Sequence, residues 1–85
     1  MKVLIPSALR SYTTDSRVDA TGETLAAVLA DLERRYPGIR FRMIDEQGRI
    51  RPHIRFFVDG TQLRSLGQPL RAATELLIVQ ALSGG

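Results

Sequence analysis

The chain has 85 residues and a mass of 9.5 kDa, which suits a single domain, and its composition of 44% hydrophobic and 25% charged residues is typical of a globular protein. The net charge is +3, and the absence of cysteine excludes a disulfide framework, a thiolate metal site and a cysteine nucleophile. No apolar run approaches the roughly 20 residues that cross a bilayer, and the apolar start ends at Pro6, too early for a secretory signal, so we expect a cytoplasmic protein without a membrane partner.

The first twenty residues predict two short strands joined by a loop. The segment from Lys2 to Ile5 is apolar and β-branched, and Pro6 ends its hydrogen-bond ladder, so a strand is predicted there. The segment from Ser7 to Ser16 is polar and rich in turn residues, and we expect an exposed loop. The segment from Arg17 to Ala20 alternates polar and apolar residues, which suits a second strand.

An amphipathic helix is predicted from Thr24 to Tyr36. Thr24 can cap its start, and Pro37-Gly38 ends it, because proline cannot continue a helix and glycine accepts a left-handed backbone. Apolar residues recur at steps of three and four and form one stripe, which needs a sheet or another helix to cover it. The stripe consists of Leu25, Val28, Leu29, Leu32 and Tyr36.

The second half of the chain predicts a hairpin and a final strand. The segment from Ile39 to Ile44 is compatible with either a helical turn or an extended piece. Alternation from Pro52 to Val58, followed by the tight-turn pair Asp59-Gly60, predicts a hairpin whose return strand covers Thr61 to Arg64. The segment from Glu75 to Leu82 is strongly apolar and predicts the last strand.

This order of elements indicates an α+β protein with a β-grasp, or ubiquitin-like, fold. The two terminal strands pair most economically in the centre of one mixed sheet of four or five strands, with the main helix packed across it. We expect residues 1–82 to form this domain and residues 83–85 to form a flexible tail. The predicted core consists of Val3, Ile5, Val18, Leu25, Val28, Leu29, Leu32, Ile54, Phe56, Val58, Leu76 and Ile78.

An arginine-rich segment lies between the helix and the hairpin. Arg40, Arg42, Arg49, Arg51 and Arg55 fall within sixteen residues, as in some nucleic-acid-binding proteins. Aromatic residues make up only 6% of the chain, and the segment lacks an RNA-stacking motif. A solvated surface or an acidic protein partner is therefore favoured, and we expect no nucleic-acid partner.

Few residues offer catalytic chemistry. His53 is the only histidine and is placed on the polar side of a strand, where no pattern supplies the partner that a general base needs. The carboxylates Asp45 and Glu46 lie in turn-forming sequence, and the glycines form no phosphate-binding loop. We expect no enzymatic activity, no metal site and no cofactor bound by this chain.

Four apolar residues are predicted on the face of the sheet opposite the helix. Leu4, Phe57, Leu77 and Val79 alternate with core residues on strands that neighbour one another in a β-grasp sheet. An exposed patch of this kind usually marks protein docking. Cover by arginine side chains and a homodimer surface are the alternatives.

The chain ends in Gly84-Gly85 directly after the last predicted strand. Two residues without Cβ atoms can lie extended in a channel that excludes larger side chains. The group they present is the Gly85 α-carboxylate, which is inert until it is activated, typically by adenylation. A sulfur or amine nucleophile can then attack it.

These residues resemble the MoaD/ThiS family of ubiquitin-like sulfur carriers over essentially the whole chain. The resemblance is carried by Gly22-Glu23-Thr24-Leu25 and Tyr36-Pro37-Gly38 at the ends of the helix, by the hairpin from Ile54 to Gly60, and by Ala81-Leu82-Ser83-Gly84-Gly85. The segment from Ile5 to Thr13 is similar to the branch that supplies sulfur for cysteine and related metabolites. In the molybdopterin branch a proline often precedes the tail, whereas here Gln80-Ala81-Leu82 takes its place.

The resemblance implies a cycle in which this chain is a carrier. A partner resembling ubiquitin-activating enzymes consumes ATP to adenylate Gly85, a sulfur source converts it to a thiocarboxylate, and a biosynthetic enzyme accepts the sulfur. Gly85 is then the modified residue, and Gly84, Ser83 and Leu82 form the tail that threads into the partners. Leu4, Phe57, Leu77 and Val79 are the expected docking face.

Two alternatives remain open on the sequence alone. In one, the chain is a protein modifier and Gly85 is joined to lysines of other proteins. In the other, it is a β-grasp binding module and the terminal glycines have no chemical role.

Overall fold

The structure is a computed structural model that describes residues 1–70 and 75–81. Five strands within these ranges form one mixed sheet in the order β2-β1-β5-β3-β4. The strands β1 and β5 pair in parallel at its centre, and the other neighbouring pairs are antiparallel. The strands are β1 (Lys2–Leu4), β2 (Arg17–Asp19), β3 (Ile54–Val58), β4 (Thr61–Leu63) and β5 (Glu75–Gln80). The predicted β-grasp architecture is confirmed, with strands one or two residues shorter at their ends.

The main helix is α2, at Leu25–Arg35. Thr24 caps it as predicted, because its hydroxyl oxygen accepts a hydrogen bond from the Ala27 N–H at 3.2 Å and satisfies one of the unpaired donors of the first turn. Leu25, Val28, Leu29 and Leu32 are buried on one side of α2. The apolar stripe therefore packs into the core as far as Leu32, as its spacing predicts, while its last predicted member, Tyr36, follows the end of α2 and is half-buried.

The turn between β3 and β4 follows the prediction closely. Asp59 and Gly60 have φ values of 48° and 82°. Both central residues of a type I′ turn need a positive φ, and its twist matches that of the flanking strands. The turn thus fixes the β3–β4 register, in which Phe57 lies opposite Gln62.

The segment from Ser7 to Ser16 corrects the prediction of an exposed loop. It contains a 3-10 turn at Ser7–Leu9 and a short helix, α1, at Arg10–Thr13. Leu9 and Thr13 are buried in this segment. A one-turn helix held by a single large apolar residue shows no periodicity, so a pattern-based prediction assigns it to a loop.

The segment left open between helical and extended structure is helical, as α3 at Ile39–Met43. Ile39 and Met43, one turn apart, are buried together with the following Ile44. Phe41, on the other side of this short helix, is 54% exposed. The helix therefore closes one end of the core and presents an aromatic ring to solvent.

The core lies between the sheet and α2. Eleven of the twelve predicted core residues are buried, and Val58, the last residue before the hairpin turn, is only half-buried. No helix in the described ranges is long and apolar enough to cross a membrane. Buried hydrophobic residues outside the prediction are Leu9, Ala20, Ile39, Met43, Ile44, Leu63 and Leu70.

Candidate docking face and tail root

Three of the four predicted docking residues form a continuous row across the centre of the sheet, which we call the apolar row: Leu4, Leu77 and Phe57. Leu77 lies opposite Leu4 of β1 in the parallel pairing and opposite Phe57 of β3 in the antiparallel pairing. Residues that are directly opposite share a face of the sheet. Leu76 and Ile78, on either side of Leu77, are buried against the helix side, so the row occupies the open face.

The apolar row is partly accessible to solvent. Leu77 is 40% exposed, while Leu4 and Phe57 are half-buried. A cleft of about 280 Å³ runs along the row, with Asp59 and Glu75 among its lining residues. On the other side of the Leu4–Leu77 pair, a second cleft of about 510 Å³ includes Arg10 and Arg17. The row is therefore bordered by carboxylates in one cleft and by guanidinium groups in the other.

Val79, the fourth predicted docking residue, lies two residues beyond Leu77 on the same face. It is half-buried and lies opposite Arg55 rather than another apolar residue. The Arg55 guanidinium bonds the backbone carbonyls of Pro52 and Ile54. Val79 thus extends the apolar row towards the end of β5 but is flanked there by a charged side chain.

The point at which the chain leaves the sheet is well defined, and we call Gln80 and Ala81 the tail root. Gln80 is the last residue of β5 and lies opposite Ile54. The Ala81 N–H donates a hydrogen bond of 2.8 Å to the carbonyl oxygen of His53. The chain is consequently held beside the start of β3 until one residue after β5 ends. The proposed tail residues Leu82, Ser83, Gly84 and Gly85 lie outside the described residues.

His53 is half-buried, and its backbone carbonyl is the acceptor for the tail root. Among residues 1–70 and 75–81 no group of three or more histidines and carboxylates is placed to hold a metal ion. The role that the structure gives His53 is to anchor the tail root through its main chain.

Three carboxylates have lowered pKa values because they accept hydrogen bonds. The pKa of Asp31 is lowered to about 2, first by the Thr21 N–H and then by Arg34 and Arg35. The N–H groups of Gly38 and Arg40 lower the pKa of Glu33. In the same way, the Arg49 and Gln47 N–H groups lower the pKa of Asp45. All three stay ionised at neutral pH and stabilise loops or the helix end.

Phe41 is the surface residue that sequence reasoning missed. It lines a cleft of about 270 Å³ with Arg42, Arg51, His53 and Gln80, next to the tail root. The sequence feature that could have identified Phe41 is the spacing of Ile39 and Met43, which places the phenylalanine between them on the outer side of a helical turn.

The sequence matches the model of the ThiS family over residues 3–85. It is 34% identical over 89 aligned residues to the sulfur carrier protein CysO of Mycobacterium tuberculosis, covering 98% of this chain and 96% of the relative. The same figures hold for the sulfur carrier protein CysO of Mycobacterium bovis.

Solved structures agree with this relationship. The crystal structure of Mycobacterium tuberculosis CysO superposes with a TM-score of 0.88 at 31% identity, covering 95% of this chain and 98% of that one. A crystal structure of the Amycolatopsis orientalis BexX/CysO complex superposes with a TM-score of 0.89 at 30% identity, covering 99% of this chain and 98% of the matched chain. The solution structure of the small archaeal modifier protein 1 from Methanosarcina acetivorans superposes with a TM-score of 0.78 at 25% identity, covering 99% of this chain and 94% of the matched chain.

Proposed function

Because the chain belongs to the ThiS family, we propose that it carries sulfur on the α-carboxylate of Gly85. The observation that carries the proposal is the extent of the similarity. The family match reaches the last residue, and the relatives that are 34% identical over nearly their full length are sulfur carrier proteins. The Gly84-Gly85 end therefore lies within the range that matches the family.

The chemistry requires activation, sulfur uptake and sulfur release. The Gly85 carboxylate attacks the α-phosphorus of ATP on the activating enzyme, forming an acyl adenylate and releasing pyrophosphate. A sulfur donor at the sulfide level attacks the acyl carbon and expels AMP, leaving a thiocarboxylate. Its sulfur then attacks an electrophilic substrate on the accepting enzyme, and cleavage of the acyl–sulfur bond by water returns the carboxylate.

In this proposal the chain positions the Gly85 carboxylate and docks the partner, and it contributes no acid–base catalysis. The tail root is hydrogen-bonded to His53, the residue before β3, so the tail starts from a fixed point near the centre of the sheet. The apolar row lies on the same sheet and provides the area that a partner can bury. Leu4, Phe57, Leu77 and Val79 dock the partner, while Leu82, Ser83 and Gly84 pass into its active site with Gly85.

The proposed partners are an adenylating enzyme of the ubiquitin-activating type and a sulfur-accepting biosynthetic enzyme. ATP is consumed by the first of these and is not a cofactor of this chain. The similarity to CysO favours cysteine or a related metabolite as the destination of the sulfur, ahead of molybdopterin or thiamin. The dependence on cellular ATP places the cycle in the cytoplasm.

The first test is ATP–pyrophosphate exchange catalysed by the activating enzyme of the same organism. We expect exchange with the full chain and none above background with a chain that lacks Gly84-Gly85. The melting temperatures of the two proteins should agree, because the deletion removes only residues beyond β5. Equal exchange with both chains would contradict the proposal.

A protein modifier is the second candidate, and the structural similarity to a small archaeal modifier protein supports it. It predicts a covalent bond between Gly85 and lysine side chains of other proteins. Peptide mass spectrometry of cells expressing the tagged chain distinguishes the two. Branched lysine peptides without any thiocarboxylate form favour the modifier, and a thiocarboxylate without branched peptides favours the carrier. A β-grasp binding module with an incidental tail predicts neither product and no effect of deleting Gly84-Gly85.

A further inference from the structure

The arginine-rich segment has no part in the chemistry proposed above, yet the fold brings two of its arginines to the tail root. Phe41, Arg42, Arg51, His53 and Gln80 line a cleft of about 270 Å³, which we call the basic cleft. Two of its lining residues carry guanidinium groups and none carries a carboxylate. The lining of the cleft therefore favours an anionic group over a cation. The Asp45 carboxylate also interacts with Arg51 electrostatically, but its hydrogen bonds are to the Gln47 and Arg49 N–H groups.

The Arg51 side chain is held in place before any partner arrives. Its guanidinium carbon lies 4.6 Å from the centroid of the Phe41 ring, and its Nε donates a hydrogen bond of 2.8 Å to the Phe41 carbonyl oxygen. A guanidinium fixed by stacking and by one hydrogen bond loses less entropy when it binds a carboxylate through its remaining donors. Arg42, by contrast, is exposed, and its side chain makes no hydrogen bond with the described residues.

The basic cleft lies on the opposite side of the sheet from the apolar row. Gln80 lies opposite Ile54, which is buried on the helix side, so the side chain of Gln80 belongs to that side. Leu77 and Val79 belong to the open side. The tail root therefore lies between an apolar surface on one face and a basic cleft on the other.

The length of the tail requires a partner to approach this region closely. The four residues from Leu82 to Gly85 span at most about 14 Å even when fully extended. An enzyme that takes Gly85 into its active site must therefore cover the surface around the tail root. A surface that already contains two guanidinium groups is best covered by carboxylates.

We propose that the basic cleft, through Arg42 and Arg51, binds an acidic segment of the activating enzyme. This inference rests on the proposed function, because it assumes that such an enzyme receives the tail. Docking then takes place on both faces of the sheet. The apolar row supplies buried area, while the basic cleft supplies charge and fixes the direction in which the tail leaves.

A protein ligand is favoured over a nucleic acid because the Arg51 guanidinium covers one face of the partly exposed Phe41 ring. Nucleic-acid readers present an open aromatic face on which a base stacks. In this structure the Arg51 guanidinium lies against the Phe41 ring. The arrangement suits a carboxylate that bonds to a stacked guanidinium.

The test measures the Michaelis constant of the activating enzyme for this chain in ATP–pyrophosphate exchange, at low and at high salt. The variants are Arg42→Glu and Arg51→Gln, and the charge-matched control is Arg34→Glu. Arg34 lies on α2, its side chain is 70% exposed, its ion-pair partner is Asp31, and it is not among the residues that line the basic cleft. We expect the Michaelis constant to rise about tenfold in Arg42→Glu and several-fold in Arg51→Gln, with the maximal rate retained, because the loss is in association.

The control variant, the salt dependence and the activity of the wild type decide between the possible explanations. The Michaelis constant of the control Arg34→Glu should stay within about twofold of the wild-type value. Added salt should reduce the difference in Michaelis constant between the wild type and Arg42→Glu, because it screens the charges. If the wild type is activated and Arg42→Glu has the same Michaelis constant, this inference is wrong and the proposed function stands. If the wild type is not activated at all, both are wrong. Loss of binding to a single-stranded oligouridylate in Arg42→Glu, with an unchanged Michaelis constant, would assign the cleft to RNA instead.

Discussion

The Ala81 N–H lies 2.8 Å from the carbonyl oxygen of His53 and donates a hydrogen bond to it, one residue after β5 ends. Because β5 lies between β1 and β3, this bond fixes the start of the tail near the centre of the sheet rather than at an edge. The apolar row crosses the same three strands. A partner that docks on the row consequently meets the tail root at a fixed distance.

The apolar row should contribute to partner binding much more than to stability. Leu77→Asp places a carboxylate at a position that is 40% exposed, so we expect a loss of stability of about 1 kcal/mol. Its affinity for the activating enzyme should fall at least tenfold, because a desolvated charge opposes docking. Calorimetric titration measures the affinity.

The matched control for this change is Ala30→Asp, which adds the same charge at an exposed position of α2. It should bind the activating enzyme with the affinity of the wild type. If both variants lose affinity equally, net charge and not the apolar row is responsible.

Gly84 should be needed for the tail to enter the activating enzyme. Gly84→Val adds a β-branched side chain next to the reacting carboxylate. We expect the exchange rate at saturating ATP to fall about a hundredfold, since a channel that fits glycine has no room for it. Ser83→Ala, which removes one hydroxyl, is the control and should retain most of the rate. Full activity in Gly84→Val would show that no narrow channel is involved.

Gly22 should be essential for packing at the start of α2. A Cβ atom at this position would lie 2.6 Å from the Val28 nitrogen and 2.8 Å from the Ala27 carbonyl carbon. Gly22→Ala must therefore displace backbone, and we expect it to lower the free energy of unfolding by about 3 kcal/mol. Urea denaturation measures the change.

Gly67→Ala is the control for this substitution, since the nearest heavy atom to a Cβ there is the Ser65 Oγ at 4.0 Å. Its stability should be within about 0.5 kcal/mol of the wild type. Equal losses in the two variants would mean that the close approach of Gly22 to α2 is not the cause.

Asp31 should make stability depend on pH in the acid range. Its carboxylate accepts hydrogen bonds from the Thr21 N–H and from Arg34 and Arg35, and its pKa is lowered from 3.8 to about 2. A lowered pKa in the folded state means that the contribution is complete above 3.8 and is lost as the pH falls towards 2. The difference in melting temperature between the wild type and Asp31→Asn should be constant from neutral pH down to about 5 and should shrink below about 4. A difference that is the same at every pH would contradict this assignment.

The sequence predicted elements whose signals are local and strong. The Thr24 cap and the Asp59-Gly60 turn depend on the chemistry of a few adjacent residues, and the structure confirms both. The pairing of β1 with β5 followed from two apolar strands and one amphipathic helix, which leave few ways to bury their surfaces.

Most of the features that the sequence did not predict depend on contacts between residues that are distant in sequence. The helix α1 and the burial of Leu9 follow from the packing of Leu9 into the core and not from a repeat in the segment from Ser7 to Ser16. Alternation places Val58 on the core side of β3, yet the residue is only half-buried because it lies at the end of the strand. The stack of Arg51 on Phe41 joins residues ten positions apart, and no local pattern predicts it.

The placement of the docking residues was predictable in part. Alternation assigned Leu4, Phe57 and Leu77 to one face, and strand order made them neighbours. The charges bordering the row were not predicted, because Asp59 and Glu75 are brought together only by the register of β5 against β3.

Intact-mass analysis tests most directly whether Gly85 carries the sulfur. The chain is incubated with the activating enzyme, ATP and sulfide, and the C-terminal fragment is then sequenced by tandem mass spectrometry. Replacing one carboxylate oxygen by sulfur predicts a gain of about 16 Da located on Gly85, dependent on ATP and absent from the chain without Gly84-Gly85. An unchanged mass in the presence of an enzyme that adenylates the chain, or a gain located on any other residue, would contradict the account.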